Sequence, residues 1–410
     1  MERISRRRLL ASAGVTAVAA ATGEAGFLLG RDSRSHSGRI AFHGAHQAGI
    51  ATPAQDRLVF AAFDLTLDRA GDLRELLSTW TRAAEQMVAG HVVGRAQPLA
   101  APPLDTGEAV GLPAARLTVT FGLGGTVFEV DREDRFGLAH RRPAKLRPFG
   151  PLPGESLDAA RSDGDICVQA CADDPQVAFH AVRNLARLGR GAAQLRWLQL
   201  GFGRTSATTD SQVTPRNLQG FKDGTNNVKA DDAAAMQRHV WVGDDEPQAW
   251  MRGGSYLVCR RIRMFIETWD RSSLDDQQQT IGRFKANGAP LTGTREHDTV
   301  DLAARTSNGD LVVAADAHIR LAGPAANDGI RILRRGYSFT DGIDPETGEL
   351  DAGLFFICFQ NDPEHQFAAI QRRLGSDDAL REYIQHVSSG LFAVPRGVTP
   401  GRTVAAELFA

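Results

Sequence analysis

Three short segments of this 410-residue chain carry residue types suited to proton transfer or metal binding. The first, Gly220-Phe221-Lys222-Asp223-Gly224-Thr225-Asn226-Asn227, sets a carboxylate between glycines. Such an acid can move a proton, although Asp beside Gly is more often a turn residue that tolerates tight backbone geometry. The second, Ala317-His318-Ile319-Arg320-Leu321-Ala322-Gly323-Pro324, holds one histidine in a semi-apolar run. A neutral imidazole there suits a transition metal, while a lone histidine of this kind is more often structural. The third, Ile332-Leu333-Arg334-Arg335-Gly336-Tyr337, offers paired cations. They suit a developing negative charge, or simply a solvated strand edge.

Other chemistries lose their main support. The chain has no GxSxG, GxxxxGK[ST] or HExxH, and no complete GxGxxG after a strand. Gly122 to Gly125 reads as the end of a strand, not a phosphate cradle. Cys167, Cys171, Cys259 and Cys358 sit in apolar runs without CxxC or zinc spacing, which predicts buried thiols more than disulfides. CxxCH is absent, so no haem is attached covalently by that motif. A hydrophobic fraction of 42% and a charged fraction of 23% describe a folded core, neither disordered nor polytopic. A net charge of −2 gives no basic field for nucleic acid.

The first thirty residues differ from the rest. Arg3, Arg6, Arg7 and Arg8 precede the apolar run Leu9 to Ala21, a signal-peptide layout too short to span a bilayer. Ser5-Arg6-Arg7-Arg8-Leu9-Leu10 matches the twin-arginine pattern. Residues 1–38 are therefore expected to be a signal segment, and the chain to be exported to the periplasm, cell envelope or exterior.

The elements that must position the three segments repeat a rhythm. Strands are expected at Leu58 to Leu67, Leu117 to Phe121, Asp165 to Ala172 and Leu195 to Phe202. Between them, Asp72-Leu73-Arg74-Glu75 has capping-box spacing for a helix to Gly90, and Asp174-Pro175 opens another. Strand, helix, strand, strand, helix, strand is the split βαβ, ferredoxin-like plan. The second half repeats it with strands at Tyr256 to Glu267 and Leu354 to Gln360. Its helices are expected from Ser273, from Asp362-Pro363 to Leu374, and over Asp377 to Val387.

Taken together, the three segments resemble the dye-decolourising peroxidase family, particularly its exported branch that includes deferrochelatases. Phe42 to Ile50, Asn217 to Asn227, Gly254 to Val258, Ile262-Arg263-Met264 and Glu267 to Asp270 carry the likeness. Arg295 to Asp298, Ala317 to Pro324, Leu333 to Tyr337 and Leu354 to Gln366 complete it, in the family's order. The resemblance implies an α+β fold of two ferredoxin-like halves, residues 40–215 and 216–410, in the dimeric α/β-barrel arrangement of that family. One non-covalent haem b is then held between the halves, its site carried by the second.

It further implies His318 as proximal iron ligand, Asp223 as distal acid–base and Arg334 as distal cation, with Arg335 adjacent. Gly224, Thr225, Asn226, Gly323, Pro324 and Ala325 should touch the porphyrin, and Arg320 should pair a propionate. The acid behind the proximal histidine is expected at Glu382, within Asp378-Ala379-Leu380-Arg381-Glu382-Tyr383, with Asp362 as competitor. Where other branches place Asn after the distal Arg, this chain has Arg335-Gly336. The implied function is a peroxidase that reduces hydrogen peroxide through an oxoferryl intermediate and oxidises organic donors. The alternatives are a deferrochelatase that releases iron with the porphyrin intact, and a non-catalytic haem carrier. Trp241, Trp250 and Tyr337 are candidate electron relays, though core packing explains each more simply. Expected partners are peroxide, an organic donor and the twin-arginine export machinery, with iron-uptake partners and self-association open and nucleic acid excluded.

Overall fold

Alternation with period two along β1 (Arg57–Leu65) sends Leu58, Phe60 and Ala62 into one core and Val59, Ala61 and Phe63 into another. In the computed structural model, residues 38–94 and 99–410 are described. The expected signal segment, up to residue 37, lies outside the described residues. After β1 come α1 (Ala70–Val88), β2 (Thr118–Gly124), β3 (Ile166–Ala172), α2 (Pro175–Leu188) and β4 (Ala193–Arg204). Their strands pair antiparallel in the order β2-β3-β1-β4, the ferredoxin-like order.

The chain continues through α3 (Ala233–His239), β5 (Ser255–Met264), α4 (Ile266–Arg271), α5 (Leu274–Ile281) and α6 (His318–Ala322). It ends with β6 (Leu333–Arg334), β7 (Tyr337–Ile343), β8 (Leu350–Gln360), α7 (Ala369–Asp377) and β9 (Ile384–Val394). Here the order β9-β5-β8-β7 repeats the first. Pairings β4–β7 and β2–β9 join the two sets, so eight strands close on themselves and β6 lies against β8 beside them. The α+β reading with two ferredoxin-like halves holds.

The barrel interior is filled by Leu58, Phe60, Trp197, Leu257, Phe355 and Phe392. Outside it, α1 and α2 seal the first set's outer face with Leu73, Leu77, Trp80 and Leu185. The outer face of the second set lacks such a lid. Its helices α4, α5 and α7 are shorter, and the long segment from Gly282 to Ile332 holds only α6 and one 3₁₀ turn, Pro324–Ala326.

Local signals located most elements. Asp174 accepts from the amides of Gln176 and Val177, and Ser273 caps α5. Three expectations need correction. The Asp72 capping box does not form: α1 starts at Ala70, and Asp72 pairs instead with Arg69 at 2.7 Å. The β2 strand does not stop at Gly122, where the backbone lies so close that a Cβ would meet Cys167 Sγ at 2.8 Å. Glycine is what lets β2 continue. Nor is Asp377 to Val387 a helix. After α7 the chain makes one 3₁₀ turn, Ala379–Glu382, and enters β9, whose pairing to β5 and β2 overrides weak local signals such as Ser388-Ser389-Gly390.

All four cysteines are buried and free. Trp241, Trp250 and Tyr337 are buried too, which places them in the core and not at a surface relay. No helix among the described residues is long and apolar enough to cross a membrane.

One buried group makes stability depend on pH. Burial, then the nearby Arg260 charge, push the His386 imidazole from its usual 6.5 down to about 3. Below pH 6.5 the unfolded chain takes up a proton there that the folded chain refuses, so stability is full above that pH and declines as pH falls toward 3. The loss should reach roughly 2–3 kcal/mol by about pH 4.5. Urea unfolding at pH 7 and pH 4.5 would measure it; a His386→Gln chain losing just as much would refute the assignment.

Candidate functional site

A cavity of about 1210 Å³ occupies the uncovered outer face of the second set. Its floor is Ile262, Met264, Leu354 and Phe356 from β5 and β8. The other walls come from the Asp223 loop, α6 and α7; from the first half only Pro153, Gly154 and Glu155 take part. The site is thus built almost wholly by residues beyond 216, with the first half closing one side.

His318 is the first residue of α6, reached from an extended Ala317. Its Nδ1 lies 2.6 Å from Oδ2 of Asp378, which is itself buried. The sequence expectation of Glu382 is corrected here. Asp378 has extended backbone between α7 and the 3₁₀ turn, and its Oδ1 accepts from the Leu380 amide at 2.8 Å, which leaves Oδ2 aimed at the imidazole. Glu382 ends that turn, exposed and lining the cavity, with no bond to His318. The competitor Asp362 is engaged with Lys145 at 3.3 Å and His365 at 3.0 Å. Burial alone would disfavour the imidazolium, but the Asp378 charge and hydrogen bond outweigh it and raise the His318 pKa. With Nδ1 held by a carboxylate, Nε2 is the nitrogen free to face the cavity.

Asp223 and Arg334 meet: Arg334 Nη1 donates to Asp223 Oδ1 at 2.6 Å, both side chains partly buried. The other oxygen, Oδ2, has only a long contact of 3.4 Å from Asn217 Nδ2. Asn227, which the sequence reading did not assign, ties the two segments together. Its Oδ1 accepts from the Arg334 amide at 2.7 Å and its Nδ2 donates to the Arg334 carbonyl at 2.9 Å. Gly224, next to the acid, has φ +89 and sits where a Cβ would lie 3.0 Å from Ser206 Cα. Strand alternation separates the two arginines: Arg334 faces the cavity, while Arg335 is fully buried and bonds Thr52 O and Gln55 Oε1.

Thr225, Asn226, Gly323, Pro324 and Ala325 line the cavity as expected from the sequence. Arg320 does not. Its Nε donates to Ala314 O and its Nη2 to Leu302 O and Val313 O, so it braces the loop before α6. The cation that the sequence reading missed is Arg331. It lines the cavity, donates Nη2 to Asn227 O at 3.1 Å, and keeps a buried Nε without a partner. Its signal was present: it lies three residues before Arg334, on the same approach to β6.

These features fit haem b. The floor is apolar, one imidazole has its far nitrogen fixed by a carboxylate, and an orphaned guanidinium N–H can meet an acidic edge. The same cavity holds an acid paired to a cation. Among the described residues no cluster of three His, Cys, Asp or Glu forms a separate metal site.

Comparison with known proteins agrees with this geometry. The Dyp-type peroxidase N-terminal model matches residues 47–203, and the Dyp-type peroxidase C-terminal model matches residues 214–399. A curated protein of Escherichia coli (strain K12) named deferrochelatase is 38% identical over 407 residues, 96% of this chain and 94% of its own. The crystal structure of a DyP-type peroxidase from Streptomyces coelicolor is 41% identical with a TM-score of 0.82, covering 90% of this chain and 96% of that one. Ferric DtpA from Streptomyces lividans is 41% identical with a TM-score of 0.83, covering 91% and 97%.

Proposed function

The chain belongs to the Dyp-type peroxidase family, and from that premise we propose how its own residues perform the reaction. It is a haem-dependent enzyme that reduces hydrogen peroxide and oxidises organic donors. When bound, haem supplies an iron centre that exchanges electrons with peroxide and then with the donor. His318 Nε2 would hold the iron, and Asp378, accepting from Nδ1–H, sets the tautomer and enriches the ring in electrons.

In the same cavity, Asp223 Oδ2 is the atom that carries the proton. It takes the proton from one peroxide oxygen and returns it to the other, so that water can leave. Arg334, always cationic, orients Asp223 through Oδ1 and meets the charge that develops on the departing oxygen.

The observation that carries this reading is the Asp223–Arg334 pair lining the same cavity as the carboxylate-held His318. A haem carrier needs no such acid–base couple. The test is rapid mixing of haem-loaded protein with one equivalent of peroxide at about pH 5. Fast loss of Soret absorbance, followed by decolourisation of an added dye, is expected; an unchanged ferric spectrum would overturn the reading.

A second reading, iron release from haem with the porphyrin intact, is favoured by the name of the relatives at 38% identity. Metal-free protoporphyrin fluorescence under reducing conditions would support it, and its absence would remove it. The twin-arginine pattern at Ser5 to Leu10 supports export of the folded, loaded protein to the periplasm or envelope. Cell fractionation should find a chain with paired Arg6→Lys and Arg7→Lys retained in the cytoplasm. Export undiminished by that change would refute the route.

A further inference from the structure

The segment Arg295-Glu296-His297-Asp298 has no part in the chemistry above, yet Glu296 lines the cavity and keeps only 12% of its side chain exposed. Its carboxylate accepts from three side chains of the loop that carries Asp223. Lys222 Nζ pairs with Oε2, Thr225 Oγ1 donates to Oε1 at 3.2 Å, and the Thr214 hydroxyl donates as well. Burial by itself would favour the neutral acid; the Lys222 and Thr214 hydrogen bonds outweigh it and hold Glu296 ionised.

Those three donors bracket Asp223. Thr214 adjoins Pro215, whose carbonyl accepts from the Asp223 amide at 2.9 Å, Lys222 directly precedes the acid, and Thr225 follows two residues later. Between β4 and α3 this loop has no strand or helix, only an isolated bridge from Arg216 to Lys222. Turn hydrogen bonds such as Asn217 N to Phe221 O at 3.1 Å hold it locally, and the side-chain bonds to Glu296 add a long-range tie.

The segment before Glu296 packs against the same loop. Arg216 Nη1 donates to Lys285 O at 2.7 Å and Nη2 to Ala286 O at 2.8 Å. Gly288, at φ +80, lies under the Lys222 stem, where a Cβ would come within 2.7 Å of Lys222 Cδ. The lysine is thereby laid toward Glu296. Without that carboxylate, its ammonium would be an unpaired charge one residue from Asp223, free to compete with Arg334 for the same oxygens.

We propose that Glu296 is a positioning residue for the peroxide reaction. Its carboxylate clamps Thr214, Lys222 and Thr225 so that Asp223 stays on Arg334, and it keeps the Lys222 ammonium off the proton-carrying acid. The kinetic part rests on the peroxidase reading; the clamp itself does not.

Glu296→Gln keeps side-chain length and removes the charge. Amides 217–227 should then exchange hydrogen about tenfold faster or more, in both haem-free and haem-loaded protein. The kcat/KM for peroxide should fall roughly ten- to hundredfold, with the KM for the organic donor and the haem content unchanged. Adding Lys222→Met removes the competing ammonium and should recover much of the kinetic loss while the loop stays loose. Unchanged exchange, or a kinetic loss that merely follows lost haem, would overturn the proposal. Thr225→Val tests the clamp more gently, if Glu296→Gln fails to fold: the same amides should loosen to a smaller extent, and no change would count against it. Faster exchange in a protein whose wild type never reacts with peroxide would uphold the clamp and reject the peroxidase reading.

Discussion

Asp223→Asn should lower kcat/KM for hydrogen peroxide by about 10²–10⁴-fold while leaving haem binding intact. The asparagine has the same shape and can still accept from Arg334 Nη1, so the pair's 2.6 Å geometry need not change. What is lost is the ability of Oδ2 to take and return a proton. Arg334→Leu removes the other half: the carboxylate keeps only the long Asn217 contact, and nothing cationic meets the departing oxygen. Both variants should retain a ferric haem spectrum and slow the Soret decay on mixing with peroxide. Wild-type rates in both would sink the proposed division of labour. Because the pair is largely buried, Arg334→Leu, which leaves the carboxylate without its cation, should cost more stability than Asp223→Asn.

The second large effect is expected at the axial histidine. Asp378→Asn should weaken haem binding about 10–100-fold and raise the Fe(III)/Fe(II) potential. An ionised carboxylate 2.6 Å from Nδ1 makes the imidazole a richer donor and favours the more positive iron; a neutral amide does neither. Asp378 is also the cap of the Ala379–Glu382 turn, so Asn is the right replacement, since it can keep the Leu380 amide satisfied. Glu382→Gln and Asp362→Asn serve as controls. Neither side chain touches the histidine, so both should leave haem affinity and potential where they were. A shift in Glu382→Gln equal to that in Asp378→Asn would reverse the assignment. Spectroelectrochemical titration of the three variants decides it.

Legibility of the site followed the range of the interactions involved. His318, Asp223 and Arg334 were readable because each lies in a short run whose residue order is itself distinctive. The acid behind His318 was readable only to within a segment. Asp378 and Glu382 are four residues apart, and the choice depends on where α7 ends and which way the following turn points its first side chain. Arg320 and Arg331 show the same limit. Both are arginines beside cavity segments, yet Arg320 turns Nε and Nη2 onto the carbonyls of Ala314, Leu302 and Val313, while Arg331 lines the cavity. Nothing in the local run tells them apart. The Glu296 clamp was invisible for the same reason: its partners Thr214, Lys222 and Thr225 lie more than seventy residues away in the chain.

By itself, the sequence determined the repeated strand and helix rhythm, the caps at Asp174 and Ser273, the buried thiols, and the three segments whose His318, Asp223 and Arg334 line one cavity. Period-two alternation, capping and turn chemistry act over a few residues, so a single run contains them. Only the tertiary structure decided that Asp377 to Val387 leads into a strand, that Arg335 turns inward onto Gln55, that Asp378 holds the histidine, and that the second set's outer face stays open as a cavity. Those outcomes belong to closure of the barrel through the β5–β8, β4–β7 and β2–β9 pairings. A charged side chain takes whichever partner that closure brings within hydrogen-bond reach, and burial settles which pairings survive competition with water.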